Sequence, residues 1–268
     1  MSSAHRHKKK FGQNFLNNPR VVEQMIQVIQ PQKDQHFVEI GPGEAALTLP
    51  LLDQVGQLDL IEIDFDLHNK LRQWLGSAPH WRLHPVDALT FDYHTLVTPE
   101  THGSELRMVG NLPYNISTPL LFHLAKFHPQ IIDMHFMLQK EVVERICATP
   151  GQKTFGRLSV MMQYACHTQA LFEVGPDNFT PPPKVHSAIV RLAPRRTRTL
   201  EAQDFVHFSK LVKQAFSQKR KTLKNTLKPM ADSAMFDALN ISPQQRAEQC
   251  SVEDFIRMSN FLSQTVPD

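Results

Sequence analysis

Short apolar runs alternate with helical patterns from Phe37 to Leu138, and this alternation leaves little choice of architecture. Phe37-Val38-Glu39-Ile40, Leu58 to Ile63, Trp81 to Val86, Leu106 to Val109 and Ile131 to Leu138 each read as a buried strand. Leu47, Leu51 and Leu52, then Asp66 to Leu75, then Leu120, Leu121 and Leu124 supply the helices between them. A further helix precedes the first strand. Asn18-Pro19 gives it an N-cap and a first helical residue, Val21, Val22, Met25, Ile26 and Ile29 form its face, and Pro31 stops it. Strands that alternate with helices form a mostly parallel, doubly wound sheet covered on both faces.

Glu141 to Ala148 and Leu158 to Ala165 read as helices, and Ala170 to Val174 and Ala188 to Leu192 as closing strands. Beyond Thr197 the strand pattern ends. The expected division is therefore an α/β domain over residues 1–197, with a basic N-terminal segment at 1–17, and a small all-helical domain over 198–268. A chain of 268 residues with 41% hydrophobic content can bury cores for both.

Chemistry-bearing residues collect at the strand ends. Gly41-Pro42-Gly43 follows the first strand, and Glu62 closes the second, 19 residues past Gly43. Paired glycines let a backbone approach a ligand, and the acid can hold both ribose hydroxyls. This pattern fits NAD and S-adenosylmethionine alike. Asp87, ending the third strand, can accept from an adenine amino group. Gly110-Asn111-Leu112-Pro113-Tyr114-Asn115 ends the fourth with an amide, a proline and an aromatic ring, a workable grip for a nucleobase. In a sheet of order 3-2-1-4-5 the first and fourth strands flank the switch point, where ligands bind.

Other signals are mostly exclusions. No apolar run approaches the roughly 20 residues that span a bilayer, and no signal-like segment follows the basic start, so a soluble cytoplasmic protein is expected. Cys147, Cys166 and Cys250 are too few and too scattered for a disulfide framework or a zinc cluster. None of the 14 histidines has metal-ligand spacing, so no metal is expected. The net charge of +3 says little, but its distribution is uneven. From Arg191 to Lys228 eleven Lys or Arg face only Glu201 and Asp204, which points to a polyanionic partner. Lys213, Arg220, Lys224 and Lys228 line up as one stripe beside Val212, Phe216, Leu223 and Leu227, predicting one continuous helix up to Pro229, with Lys219 and Lys221 adding to its charge.

Together with Phe11-Gly12-Gln13-Asn14-Phe15-Leu16, Ile61-Glu62-Ile63-Asp64 and Val86-Asp87-Ala88, these motifs resemble in order and spacing the ribosomal RNA adenine dimethyltransferases. Phe179-Thr180-Pro181-Pro182-Pro183-Lys184-Val185 and Phe216 to Leu223 are similar to the bacterial small-subunit (16S) branch. The resemblance implies a Rossmann-like methyltransferase sheet using S-adenosylmethionine. It also implies dimethylation of the N6 amine of two adjacent adenosines, in a hairpin loop near the 3′ end of 16S rRNA, within the 30S subunit or its precursor, by a monomer that also serves 30S biogenesis. Carried over, Asn14 and Leu16 close over the methionine part of the cofactor, Gly41 contacts its backbone, Glu62 its ribose and Asp87 its adenine. Asn111 lies between cofactor and base. Asn111, Leu112, Pro113 and Tyr114 form the catalytic turn, and Phe179, Lys219, Arg220, Lys221 and Lys224 contact RNA. Phe65 stands where an arginine is frequent and His186 where an aspartate is frequent. Three other readings remain open here: the 23S macrolide-resistance branch, a non-catalytic ribosome assembly factor, and a nicotinamide dehydrogenase.

Overall fold

The computed structural model describes residues 13–97, 105–197 and 199–265. The expected basic N-terminal segment is described only from Gln13 onward, so Phe11 and Gly12 of its motif lie outside the described residues. The chain forms two compact units, Met1–Val143 with His167–Pro194, and Glu144–Cys166 with Arg195–Asp268.

In the first unit a two-residue strand β1 (Phe15–Leu16) leads into α1 (Pro19–Ile29). Asn18 caps α1 by accepting from the Arg20 N–H at 3.0 Å, with Pro19 in the first turn where no amide hydrogen is needed. Then come β2 (His36–Ile40), α2 (Thr48–Leu52), β3 (Gln57–Ile61), α3 (Phe65–Leu75), β4 (Trp81–His84), β5 (Leu106–Asn111), α4 (Ser117–Leu124), β6 (Ile131–Gln139) and α5 (Lys140–Cys147). After α6 (Arg157–Ala165) of the second unit, β7 (Cys166–Val174), β8 (Phe179–Thr180) and β9 (Ser187–Pro194) complete the strands.

The sheet order is β4-β3-β2-β5-β6-β9-β7. Pairing is parallel from β4 through β6 and antiparallel between β6 and β9. This is the expected doubly wound arrangement, with the order reversing between β2 and β5. The central strand β2 is buried at every position, as a strand covered on both faces must be.

Two carboxylates inside this sheet, Asp59 and Asp133, are paired. Asp59 accepts from Nε2 of His36 at 2.5 Å and of His84 at 2.6 Å, tying β2, β3 and β4 together. Burial pushes the Asp59 carboxyl up, and the two imidazoles more than reverse this, holding it below the usual carboxylate range. The Arg107 guanidinium of β5 bonds Asp133 at 2.8 and 3.0 Å and the carbonyls of Ile29 and Gln30, so it also satisfies the open end of α1.

The first unit departs from expectation at its start. Phe15 and Leu16 pair antiparallel with Thr180 and Phe179, a ribbon the sequence pattern does not announce. Its consequence is a correction. Phe179, expected to face RNA, is 3% exposed and packs in the core with Phe15 and Leu16.

The second unit contains α6 and, after Arg195, α7 (Phe205–Ala215), α8 (Leu223–Thr226), α9 (Ser233–Leu239) and α10 (Val252–Thr265). Residues 144–166 belong here, so the units do not follow a single cut at 197/198. The Tyr164 ring lies 4.5 Å from that of Phe208 and 5.7 Å from that of Phe205, which ties α6 to α7. The continuous basic helix is also corrected. Helix α7 ends at Ala215, and the chain turns through 216–222 before α8. The amide hydrogens that a continuous helix would bond internally go elsewhere, Leu223 N–H to the Gln245 carbonyl and Lys224 N–H to that of Pro243. Among the described residues no helix is long and apolar enough to cross a membrane, and no cluster of three metal-ligating side chains occurs. The cysteines are free thiols.

Candidate active site

The carboxyl ends of β2, β3 and β5, with the turn after β4, wall an open cleft in the first unit. Every residue expected to hold the cofactor or the base lines it, namely Asn14, Leu16, Gly41, Glu62, Asp87, Asn111, Leu112, Pro113 and Tyr114.

The turn after β2 depends on left-handed backbone. Gly41 has φ +68° and Gly43 φ +57°, conformations that glycine adopts without cost. A side chain at Gly43 would also strike the Phe15 ring at 2.8 Å. Ala45 is left-handed too, at φ +65°, and carries the small penalty of a residue with a Cβ there. Gly110 solves a different problem, since a Cβ on it would sit 2.4 Å from the Ile40 carbonyl oxygen. Only glycine lets β5 approach β2 this closely at the cleft floor.

Glu62 stands just past the end of β3. Its carboxylate accepts from the Asp64 N–H at 2.8 Å and from the Gly43 N–H at 3.3 Å, which fixes it against the glycine turn. Burial pushes its pKa up, and nearby Asp64 adds to this, while the backbone donors pull the other way. One Asp87 oxygen accepts from the Leu89 N–H at 2.9 Å, which orients the other.

The base-gripping turn is equally defined. Asn111 Nδ2 donates to the Asn14 carbonyl at 2.8 Å. A carbonyl only accepts, so the amide is fixed with its Oδ1 pointing away from this bond and free to act as an acceptor. The Pro113 carbonyl accepts from the Ile116 N–H at 3.1 Å and closes the turn. The Tyr114 hydroxyl meets Ser187 Oγ of β9 at 2.7 Å, which anchors the far end of the half-buried side chain that lines the cleft.

Residues 13–16 line this cleft, and the segment 13–18 is fastened at both ends as a strap. Gln13 Nε2 donates to Asp64 at 2.8 Å on one side. On the other, Asn17 N–H donates to the Asn178 carbonyl at 2.9 Å, Asn17 Nδ2 to Thr180 Oγ1 at 2.6 Å, and Asn18 Nδ2 to Asn178 Oδ1 at 2.6 Å.

The residues present suit a nucleoside-bearing cation. A glycine cradle, a buried carboxylate for paired hydroxyls and a second carboxylate for an exocyclic amine converge on one cleft, and Glu39 Oε2 lies buried there with no partner. Comparison with known proteins agrees. Residues 4–264 match the family described as "Ribosomal RNA adenine dimethylase". The chain belongs to that family. A curated relative, "Ribosomal RNA small subunit methyltransferase A" of Hydrogenovibrio crunogenus, is 60% identical over 257 residues, 96% of this chain and 97% of the relative. Two solved structures share the fold. A dimethyladenosine transferase from Plasmodium falciparum superposes with a TM-score of 0.78 at 24% identity, covering 93% of this chain and 98% of the other. The 23S rRNA methyltransferase ErmE gives 0.71 at 25% identity, covering 94% and 100%.

As a dimethylase-family member the chain is an S-adenosylmethionine-dependent enzyme, which removes the nicotinamide reading of the glycine turn. One cleft residue escaped the sequence reading. Glu39 was counted as part of an apolar strand, although a lone acid inside a buried run was itself a signal. The basic residues expected to meet RNA lie in the second unit. Lys219, Arg220 and Lys221 are exposed on the turn between α7 and α8, and Lys224 is exposed on α8. Lys213 and Lys228 are exposed as well, but on separate elements instead of one stripe.

Proposed function

We propose that this chain transfers methyl groups to the N6 amine of two adjacent adenosines, in a hairpin loop near the 3′ end of 16S rRNA, within the 30S subunit or its precursor. It acts as a cytoplasmic monomer and contributes to 30S biogenesis. The observation that carries the reading is the Asn111-Leu112-Pro113-Tyr114 turn, which shares one cleft with Gly41, Glu62 and Asp87. The small-subunit name of a 60% identical relative supports 16S over 23S rRNA, since the 23S enzyme is only 25% identical.

S-adenosylmethionine, when bound, supplies an electrophilic methyl group on a sulfonium. Glu62 takes the ribose hydroxyls, Asp87 the adenine amine, and Asn14, Leu16 and Gly41 the methionine part. The N6 lone pair of the target adenine is delocalised into its ring, so the amine is a poor nucleophile. Asn111 Oδ1 and the Leu112 carbonyl accept its two hydrogens and draw it towards the pyramidal geometry that in-line attack requires. Positioning and fixed dipoles therefore supply the rate, and no strong general base is needed. Extruding the base costs a few kcal/mol, which stacking on Tyr114 offsets. Lys219, Arg220, Lys221 and Lys224 meet RNA phosphates.

The test is to incubate the protein with undermethylated 30S particles and radiolabelled cofactor, then map the methylated adenosines. Label at two neighbouring adenosines near the 3′ end of 16S rRNA is the expected result. Label in large subunits instead, or none, overturns the reading.

A further inference from the structure

Glu39 is the most unusual group in the cleft, and no role in the proposed reaction accounts for it. It sits mid-sheet in β2, opposite Leu60 of β3 and Val109 of β5, and is only 2% exposed. It lines the cleft, yet its Oε2 has no hydrogen-bond partner, and neither does the buried Thr48 hydroxyl of α2. Around it, α1 contributes the apolar Met25 to the cleft wall. The charge that acts on it is that of Glu62, beyond the end of β3. A buried carboxylate in this position has the Thr48 hydroxyl near it but no counter-ion to offset its burial.

We propose that Glu39 gives up a proton to solvent when the cofactor binds, so that cofactor affinity is coupled to pH. This rests on the S-adenosylmethionine reading of the cleft. Burial, together with the Glu62 charge, pushes the Glu39 carboxyl up to about 8, although Thr48 pulls it down, so the free protein holds it as the neutral acid at pH 7. A cofactor bearing a sulfonium and an ammonium brings positive charge and donors into the same cleft. The ionised carboxylate is then the favoured form, and the O–H proton passes to the buffer. Affinity should therefore rise with pH, at most tenfold per unit, and level off once free Glu39 is already ionised.

Titration calorimetry of the full chain with S-adenosylmethionine, repeated in buffers of different ionisation enthalpy, counts the protons released. Between half a proton and one, roughly, is expected at pH 7, falling towards none above pH 9. Glu39→Gln, a neutral isostere, should release almost none. Its affinity should not rise between pH 6.5 and 8.5, so the wild type's advantage over it should widen across that range. Binding by the wild type with no proton release, release that persists above pH 9, or equal release by Glu39→Gln overturns the inference while leaving the cofactor assignment intact. Absence of any binding by the wild type removes the cofactor assignment itself. Should Glu39→Gln fail to fold, the pH course of wild-type release still decides the matter.

Discussion

At the scale of single residues, the catalytic turn separates two uses of one aromatic side chain. Tyr114 lines the cleft and its hydroxyl is engaged by Ser187 at 2.7 Å. Stacking on a base is worth about 1–3 kcal/mol, so Tyr114→Ala should lower kcat/KM for methyl transfer by about 5- to 150-fold. Tyr114→Phe keeps the ring and loses one neutral hydrogen bond, worth about 1 kcal/mol, so a loss of roughly fivefold is expected. Equal losses in the two variants would assign the role to the hydroxyl. The residues of this turn line the cleft, and they were picked out by their place at a strand end and by their resemblance to the dimethyltransferase motif, since the turn alone reads equally well as a polar loop. The Ser187 contact was not legible, since nothing local to Tyr114 specifies its partner on β9. Phe179 misled for a related reason. An exposed-looking aromatic in a proline-rich stretch turned out to be half of a buried ribbon whose other half lies near the opposite end of the chain.

At the scale of elements, the alternation of strands and helices pointed to the doubly wound class and, with it, to the order of the first five strands of the sheet. The β6-β9-β7 edge was not foreseen, because nothing local to β7 or β9 names its neighbour. Gly110 shows what lay hidden. Its need for glycine comes from the Ile40 carbonyl of the neighbouring strand, not from its own backbone angles. Gly110→Ala should cost at least about 1–3 kcal/mol of unfolding free energy, measured by urea titration, as β5 is forced away from β2. Asn18 does two jobs, capping α1 and bonding Asn178. Asn18→Ala should cost about 1–2 kcal/mol in the same measurement. The helix α7–α8 region marks the limit of periodicity. Val212, Phe216, Leu223 and Leu227 keep helical spacing across a break, because the carbonyls of Pro243 and Gln245 that take over the amide hydrogens are distant in sequence.

For the molecule as a whole, two buried ionisable groups shape the pH dependence of stability in opposite directions. Burial lowers His135 from 6.5 to about 4, with Arg107 and Arg191 adding to this and Asp133 opposing it. The unfolded chain therefore binds its proton more readily, and stability falls as pH drops from 6.5 to 4, by about 3 kcal/mol in total. Glu39 is raised from 4.5 to about 8, so the folded state binds the extra proton and stability falls as pH rises through that window. Between 4.5 and 6.5 the two slopes oppose each other, with the raised Glu62 adding to the Glu39 side, and above 6.5 His135 no longer contributes. Urea titrations should show a loss of about 2 kcal/mol between pH 6.5 and 8 that disappears in Glu39→Gln. RNA binding should depend steeply on salt. With ~5 phosphates neutralised, the log–log slope should be roughly −4, and it should become shallower by about 1 for each of Lys219, Arg220 or Lys221 replaced by Ala.

The strap lining the cleft bears on the timing of the reaction. Two methyls on one nitrogen consume two donor molecules, and each donor must enter and leave a cleft lined by the segment that Gln13, Asn14 and Asn17 fasten. The same hydrogen bond from Asn111 to Asn14 that aims the amide also ties down a wall of the donor's pocket, so one contact couples aim to tempo.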